Sequence, residues 1–252
     1  MLRIRGFPAL LLLAACAASP RPTAQVGPER PWTLAGAAMS SRLWAPGPNS
    51  LANDLGLVSD SGDVDSTVGK LLSAKVNLPD RIRVGFLELR STEGPWNWLD
   101  PNNGMNQELA DSVEQALTRI PRIARATVLP RLVVGERPTI ARLRDGSARL
   151  QTDLLLVYRP SCQIYSRQPF FGSTDYRAVC TLETVVLDVR SGVLPLSSVV
   201  TRGVEAEKRH GDYSDSDRIQ RAELAAVTLA LAQNVNELGS YLASVPPSRS
   251  GK

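Results

Sequence analysis

Histidine is almost missing from this 252-residue chain, with His210 as its single copy. A metal site built from several histidines is therefore excluded, and a Ser-His-Asp triad would have no other base to use. His210 sits in Glu207-Lys208-Arg209-His210-Gly211, beside Asp212, Asp215 and Asp217. That is the composition of a solvated loop leading into a helix cap. The chain also lacks G-x-S-x-G, G-x-x-x-x-G-K-[ST] and G-x-G-x-x-G. No nucleophile elbow, phosphate loop or dinucleotide fingerprint is present, and no cofactor or metal is expected. Lysine is scarce: Lys70, Lys75, Lys208 and Lys252 are the only ones, so the positive charge is carried by arginine. No apolar run reaches the roughly 20 residues that a transmembrane helix needs.

Cysteine is scarce too, and its three copies are placed informatively. Arg3 and Arg5 precede an apolar run that ends in Leu10-Leu11-Leu12-Leu13, followed by Ala14, Ala15 and Cys16. A basic start, a short apolar core and small residues make an export signal. Leu13-Ala14-Ala15-Cys16 resembles the lipobox of bacterial lipoproteins. The resemblance implies cleavage before Cys16 and acylation of its sulfur, with the membrane as a partner through the lipid anchor. The plainer alternatives are a secretory signal with a chance cysteine, or an uncleaved anchor. Ala17 replaces the Asp that often retains such proteins at the inner membrane, which favours the outer membrane facing the periplasm. The whole chain carries 29 Lys+Arg against 25 Asp+Glu. Loss of Arg3 and Arg5 with residues 1–15 leaves a net charge of about +2.

The expected organisation is a signal peptide over 1–15, a lipidated flexible arm over 16–66, one domain over 67–245 and a disordered tail over 246–252. The arm is rich in proline: Pro20, Pro22, Pro28, Pro31, Pro46 and Pro48 break regular structure. Trp32 and Trp44 are unusual in such a spacer, so part of it is free to lie on the domain.

Within the domain, Arg81 to Leu89 alternates like a strand. Met105, Leu109, Val113, Leu117 and Ile120 have helical spacing, and Pro121 ends that helix. Ala126 to Val134 is the next expected strand, and Pro138 to Leu150 the next helix. Asp153 to Tyr165 opens with Leu154-Leu155-Leu156-Val157, apolar on both faces, which marks a central strand. Ala178 to Val189 and Leu194 to Val204 follow as strands. After Ser214, Leu224, Leu231, Val235, Leu238, Leu242 and Val245 recur at helical spacing. This last helix either packs on the sheet or offers a coiled-coil seam; packing on the sheet is favoured. The fold class is α/β, one mixed sheet in the order β-α-β-α-β-β-β-α with a long C-terminal helix against it.

The meander bears on the other two cysteines. If the third and fourth strands pair antiparallel about Phe171-Gly172, Cys162 lies directly opposite Cys180. Such a pair has its Cβ atoms about 4.5–5.5 Å apart, near disulfide distance. An oxidising compartment favours the bond over two buried thiols.

Three groups of residues are candidate contact sites. Arg119, Arg122, Arg125, Arg131, Arg137, Arg142, Arg144 and Arg149 are opposed locally by Glu136 and Asp145 alone. For an exported protein this favours an acidic protein face, a cell-wall polymer or anionic lipid over nucleic acid; the alternative is a solvated arginine face. Trp96 and Trp98 lie in a polar loop, as interface aromatics or as a cover for the sheet end. Phe170-Phe171, between Pro169 and Gly172, falls at an exposed hairpin tip. Of the arginines, Arg137, Arg142 and Arg144 are singled out as partner-binding.

The stretches RIRVGFLEL, ELADSVEQAL, ATVLPRLVV, TDLLLVYR and CTLETVVLDVRSG, with their Asp188-Val189-Arg190-Ser191-Gly192 turn, resemble a group of bacterial envelope proteins. The group includes the TolB amino-terminal domain, CsgG-like lipoproteins and lipoprotein activators of penicillin-binding proteins. The resemblance covers about residues 80–243 and implies a non-catalytic binding or scaffolding module of an envelope complex. A homo-oligomeric subunit of a secretion or surface-assembly apparatus is the second expectation. The barrel-forming segments of CsgG-like proteins are missing here. A cell-wall enzyme using paired carboxylates is the third, with Glu88 and Glu183 better placed as strand residues than as an acid/base pair.

Overall fold

A computed structural model describes residues 31–35, 51, 55, 69, 71–89, 104–135 and 138–248. Their elements in chain order are β1 (Thr33–Leu34), β2 (Ile82–Glu88), α1 (Gly104–Thr118), β3 (Ile123–Val128), α2 (Arg131–Val134), α3 (Ile140–Arg149), β4 (Leu154–Arg167), β5 (Asp175–Asp188), β6 (Leu196–Glu205) and α4 (Asp215–Ser244). The sheet runs β3-β2-β4-β5-β6, and β1 is attached to β4. β2 is parallel to both β3 and β4, while β4, β5 and β6 form an antiparallel meander. This is the expected mixed sheet with a long C-terminal helix.

Period-two alternation assigns the two faces. On one, Val84, Phe86, Leu156, Tyr158, Cys162, Ile164, Ala178, Cys180, Leu182 and Val186 pack with α1 and α4. On the other, Leu87, Leu155, Val157 and Leu187 pack with Leu129, Val134 and Leu143. The run Leu154–Val157 therefore serves both cores, as a strand covered on both faces must. The apolar stripe of α4 is consumed by the sheet and by α1: Ala226, Ala230, Leu238 and Leu242 are fully buried. Asn234 fixes the helix on the sheet, donating to Thr184 Oγ1 at 2.6 Å and accepting from Ser198 Oγ at 3.0 Å.

β4 has two partners on one edge. The Leu89 N–H donates to Tyr158 O, and the Ala35 N–H donates to Ile164 O, each at 2.8 Å. Even-numbered residues of β4 thus direct their backbone groups away from β5. Pro160 shares that parity and lies between the two contacts, where its missing N–H breaks no ladder bond with β5.

Three expectations are corrected. The strand expected over 126–134 starts at Ile123 and ends at Val128. Pro130, at φ −64°, cannot donate to a ladder and opens the short helix α2 instead. The arm expected over 16–66 is part of the domain at several points: β1 pairs with β4, and Leu51 and Leu55 are buried. The Leu51 N–H also donates to Glu183 Oε2 at 2.8 Å. The tail expected from 246 is held at its start, because the Ser248 N–H donates to Leu78 O at 2.8 Å. Among the described residues, no helix is long and apolar enough to cross a membrane.

Candidate functional site

β4 and β5 pair over 14 residues each, with Leu154 opposite Asp188 at one end and Arg167 opposite Asp175 at the other. The register is the expected one, and Cys162 and Cys180 form a disulfide with Cα atoms 4.1 Å apart. That spacing suits the narrow, non-hydrogen-bonded type of cross-strand pair. The bond is buried in the core facing α4. Beyond it, Arg167 Nη2 pairs with Asp175 Oδ2 at 3.1 Å on the last rung. Gly172 turns the chain at φ +111°, a conformation that glycine takes without strain. The tip is therefore braced below by a covalent bond and closed by an ion pair.

Phe170 and Phe171 crown this braced tip at 77% and 95% exposure. Large apolar side chains so exposed, and adjacent, are the kind of feature that marks contact sites. Two further elements arrive at the same end. Trp32, just before β1, lies under the Arg167 guanidinium, 4.6 Å from its ring centroid. Arg218, in the first turn of α4, donates to Thr174 O at 2.8 Å, pairs with Asp215 at 2.8 Å and stacks 4.8 Å from the Tyr176 ring. Burial, followed by the Asp215 carboxylate, pushes the Tyr176 hydroxyl above its ordinary value of 10.0.

Beside this contact is an open cleft of about 260 Å³, lined by Val204, Glu205, Glu207, Arg209, Arg218, Arg221, Ala222 and Ala225. Asp212 shapes its rim: it accepts from Arg221 Nη1 at 2.5 Å and Nη2 at 2.9 Å, and from the Arg209 N–H at 2.6 Å. These bonds, the Arg221 guanidinium first, hold the Asp212 carboxyl at about 2, against an ordinary 3.8. Next to it Tyr213 is fully exposed. Ser214 and Asp217 form the capping box that starts α4.

The sequence candidates are not brought together. Arg142 and Arg144 lie on α3, which leads into the start of β4, at the far end of the hairpin from Phe170-Phe171. Fourteen strand residues span about 45 Å. Arg142 is exposed. Arg144 is committed internally: Nε donates to Val189 O at 2.9 Å and Nη2 to Arg190 O at 2.6 Å. Arg122 is committed likewise, through Nη1 to the carbonyls of Leu242 and Val245 and through Nη2 to Pro79 O. The arginine-rich stretch is thus partly a set of carbonyl clamps. Cys16, Trp96, Trp98 and Arg137 lie outside the described residues. Tyr213 and Arg218 were not singled out from sequence, although Asp215 and Arg218 carry the i,i+3 charge spacing that foretells their pair; Trp32 was noted only as unusual in the spacer, without its place at this end. His210 is exposed in the 206–214 loop. Among the described residues, no three His, Cys, Asp or Glu side chains are grouped so as to hold a metal.

No protein-family model matches the chain, and no curated protein sequence does. Solved structures do. The hypothetical protein CT253 from Chlamydia trachomatis is 10% identical over 66% of this chain and 100% of its own, at a TM-score of 0.41. The PelC dodecamer from Paraburkholderia phytofirmans is 15% identical over 66% of this chain and 93% of its own, at 0.36. Lipoprotein GNA1162 from Neisseria meningitidis is 12% identical over 65% of this chain and 99% of its own, at 0.31.

Proposed function

We propose that the chain is a lipid-anchored, non-catalytic binding module of the bacterial envelope, attached through Cys16 and facing the periplasm. Its contact surface is the end of the domain that bears the β4–β5 tip and the neighbouring arginine-lined cleft. The observation that carries this reading is the exposed Phe170-Phe171 pair on a hairpin braced by the Cys162–Cys180 bond. A rigid presentation lowers the ordering cost of binding, and exposed aromatics at the end of a rigid support are what a contact surface requires. The order of elements and the lipobox are the basis for grouping it with the TolB, CsgG-like and penicillin-binding-protein-activator proteins.

A photo-crosslinking side chain in place of the fully exposed Tyr213 tests this reading in intact envelopes. One discrete protein adduct is expected, lost when Arg209→Glu reverses the charge on the cleft. No adduct above that from the same probe at Arg149, at the far end, would overturn it.

The oligomeric alternative rests on a different feature. β6 is an edge strand ten residues long, and among the described residues no strand pairs with its outer side. Such edges recruit further strands. A defined large oligomer of the delipidated domain on size exclusion would favour this second reading, and a monomer would remove it.

A further inference from the structure

We infer that the Phe170-Phe171 tip is seated in the lipid leaflet that holds the chain's own anchor. This rests on the reading above, in which Cys16 is acylated and the tip end is the contact surface; it adds the identity of what the tip touches.

The direction of β1 supplies the first argument. β4 runs toward the tip and β1 pairs with it antiparallel, Thr33 opposite Ser166 and Leu34 opposite Tyr165. β1 therefore runs away from the tip, and Trp32, just ahead of it, lies on the tip side. Trp32 marks the arrival point, stacked on Arg167 at the last rung of the hairpin. Phe170 and Phe171 are three and four residues beyond Arg167, within about 15 Å at strand rise.

The length of chain to the anchor supplies the second. Fifteen residues separate Cys16 from Trp32, which reach at most about 50 Å when fully extended. An anchor on such an arm holds this end of the domain, where the arm arrives, within about 50 Å of the bilayer. The far end, with Arg144 and the β5–β6 turn, is about 45 Å further out along the hairpin.

Side-chain chemistry agrees with that placement. The two most distal large residues are phenylalanines at 77% and 95% exposure. Behind them come Trp32 and Arg167, an aromatic ring and a long cationic side chain, which are the residue types that sit at the headgroup level. Leu34, 64% exposed, adds apolar surface on the same side. The disulfide, five rungs behind the last pair, fixes the register of the two strands that carry the phenylalanines.

The protein's own cysteine chemistry provides the test. Cys16 is blocked as a thioether and Cys162 is joined to Cys180, so Phe171→Cys introduces the one free thiol. The full-length protein is extracted from membranes, labelled there with an environment-sensitive fluorophore, and reconstituted in phosphatidylethanolamine/phosphatidylglycerol vesicles with and without spin-labelled lipid. Quenching by the lipid should be several-fold greater than for the same label at Arg149→Cys, at the far end. Phe170→Cys should behave like Phe171→Cys. Equal, weak quenching at both ends overturns the inference, as does recovery of a protein without acyl chains outside the membrane fraction. A label that shifts with protein concentration, and not with spin-labelled lipid, would place a second copy on the tip and overturn it too. Quenching at Phe171 without a Tyr213 adduct would sink the binding-module reading alone; the adduct without quenching would sink this one alone.

Discussion

Cys162 lies directly opposite Cys180 on neighbouring strands, and both are buried, at 0% and 1% exposure. The bond closes a loop of 18 residues in sequence separation, so its chief effect is expected on the unfolded chain. Replacing both cysteines by alanine should lower the folding free energy by about 3 kcal/mol, read as a fall in the urea midpoint. Reductant should act slowly on the native protein and quickly in urea, because the sulfurs are out of reach until the hairpin opens. Two free thiols in the native protein on non-reducing mass analysis would contradict this relationship.

How much of this was legible in the sequence varies with the range of the interaction. The β4–β5 register was, because period-two alternation and two cysteines equidistant from a turn leave one pairing that keeps both on the same face. The α4 stripe was as well. The packing of β1 was not. Two residues carry no periodicity, and their partner on β4 lies 133 positions away at Thr33 and Ser166. The end of β3 was legible at Pro130, which cannot donate to a ladder, although the expected strand ran past it to Val134. For the site, Phe170-Phe171 was visible because Pro169 and Gly172 frame a turn. The fate of the arginines was not visible. Composition gives a charge, whereas the carbonyls that Arg122 and Arg144 bind are delivered by elements up to 123 residues away.

Arg144 and Arg142, two residues apart on α3, should respond differently. Arg144 holds the Asp188–Gly192 turn through two carbonyls, and Asp188 caps the same turn through the Ser191 hydroxyl and the backbone N–H groups of Arg190 and Ser191. Arg144→Ala should cost about 1–2 kcal/mol, and Arg142→Ala no more than about 0.5. Gly192 sits at φ +79° with the Arg144 side chain 3.2 Å from where a Cβ would lie. Gly192→Ala should therefore cost more than about 1 kcal/mol. Thermal or urea unfolding of the three variants checks the ranking. Equal losses at Arg142 and Arg144 would refute the clamp.

Arg122 ties the end of α4 to the segment before β2. Its guanidinium accepts nothing and donates to the carbonyls of Leu242, Val245 and Pro79. The first two are at the C-terminus of the helix, where a cation also meets the favourable end of the dipole. Arg122→Ala should destabilise by about 1–3 kcal/mol and speed hydrogen exchange in the last turn of α4. Arg122→Lys restores the charge without the planar fork and should recover only part of the loss. Full recovery would mean that charge alone matters there.

Asp212 gives the 206–214 loop a dependence on pH whose sign is fixed. Its carboxyl is held at about 2 in the folded protein against an ordinary 3.8, chiefly by the Arg221 guanidinium and then by the Arg209 N–H. A group whose folded pKa is depressed stabilises most above its unfolded pKa, and that contribution disappears as the pH falls through the folded one. The wild type should therefore lose stability between about pH 4 and pH 2 more steeply than Asp212→Asn. At pH 6 the variant should be the less stable of the two, because an amide cannot accept the paired Arg221 donors as a carboxylate does. Below pH 2 the two curves should converge. Urea unfolding at a series of pH values isolates this group, since every other carboxylate is common to both proteins. Curves that stay parallel across the window would show that the Asp212–Arg221 pair does not hold the rim of the cleft. In that case Arg221→Gln should also leave the exchange rates of the 206–214 amides unchanged, whereas an intact pair predicts that they rise.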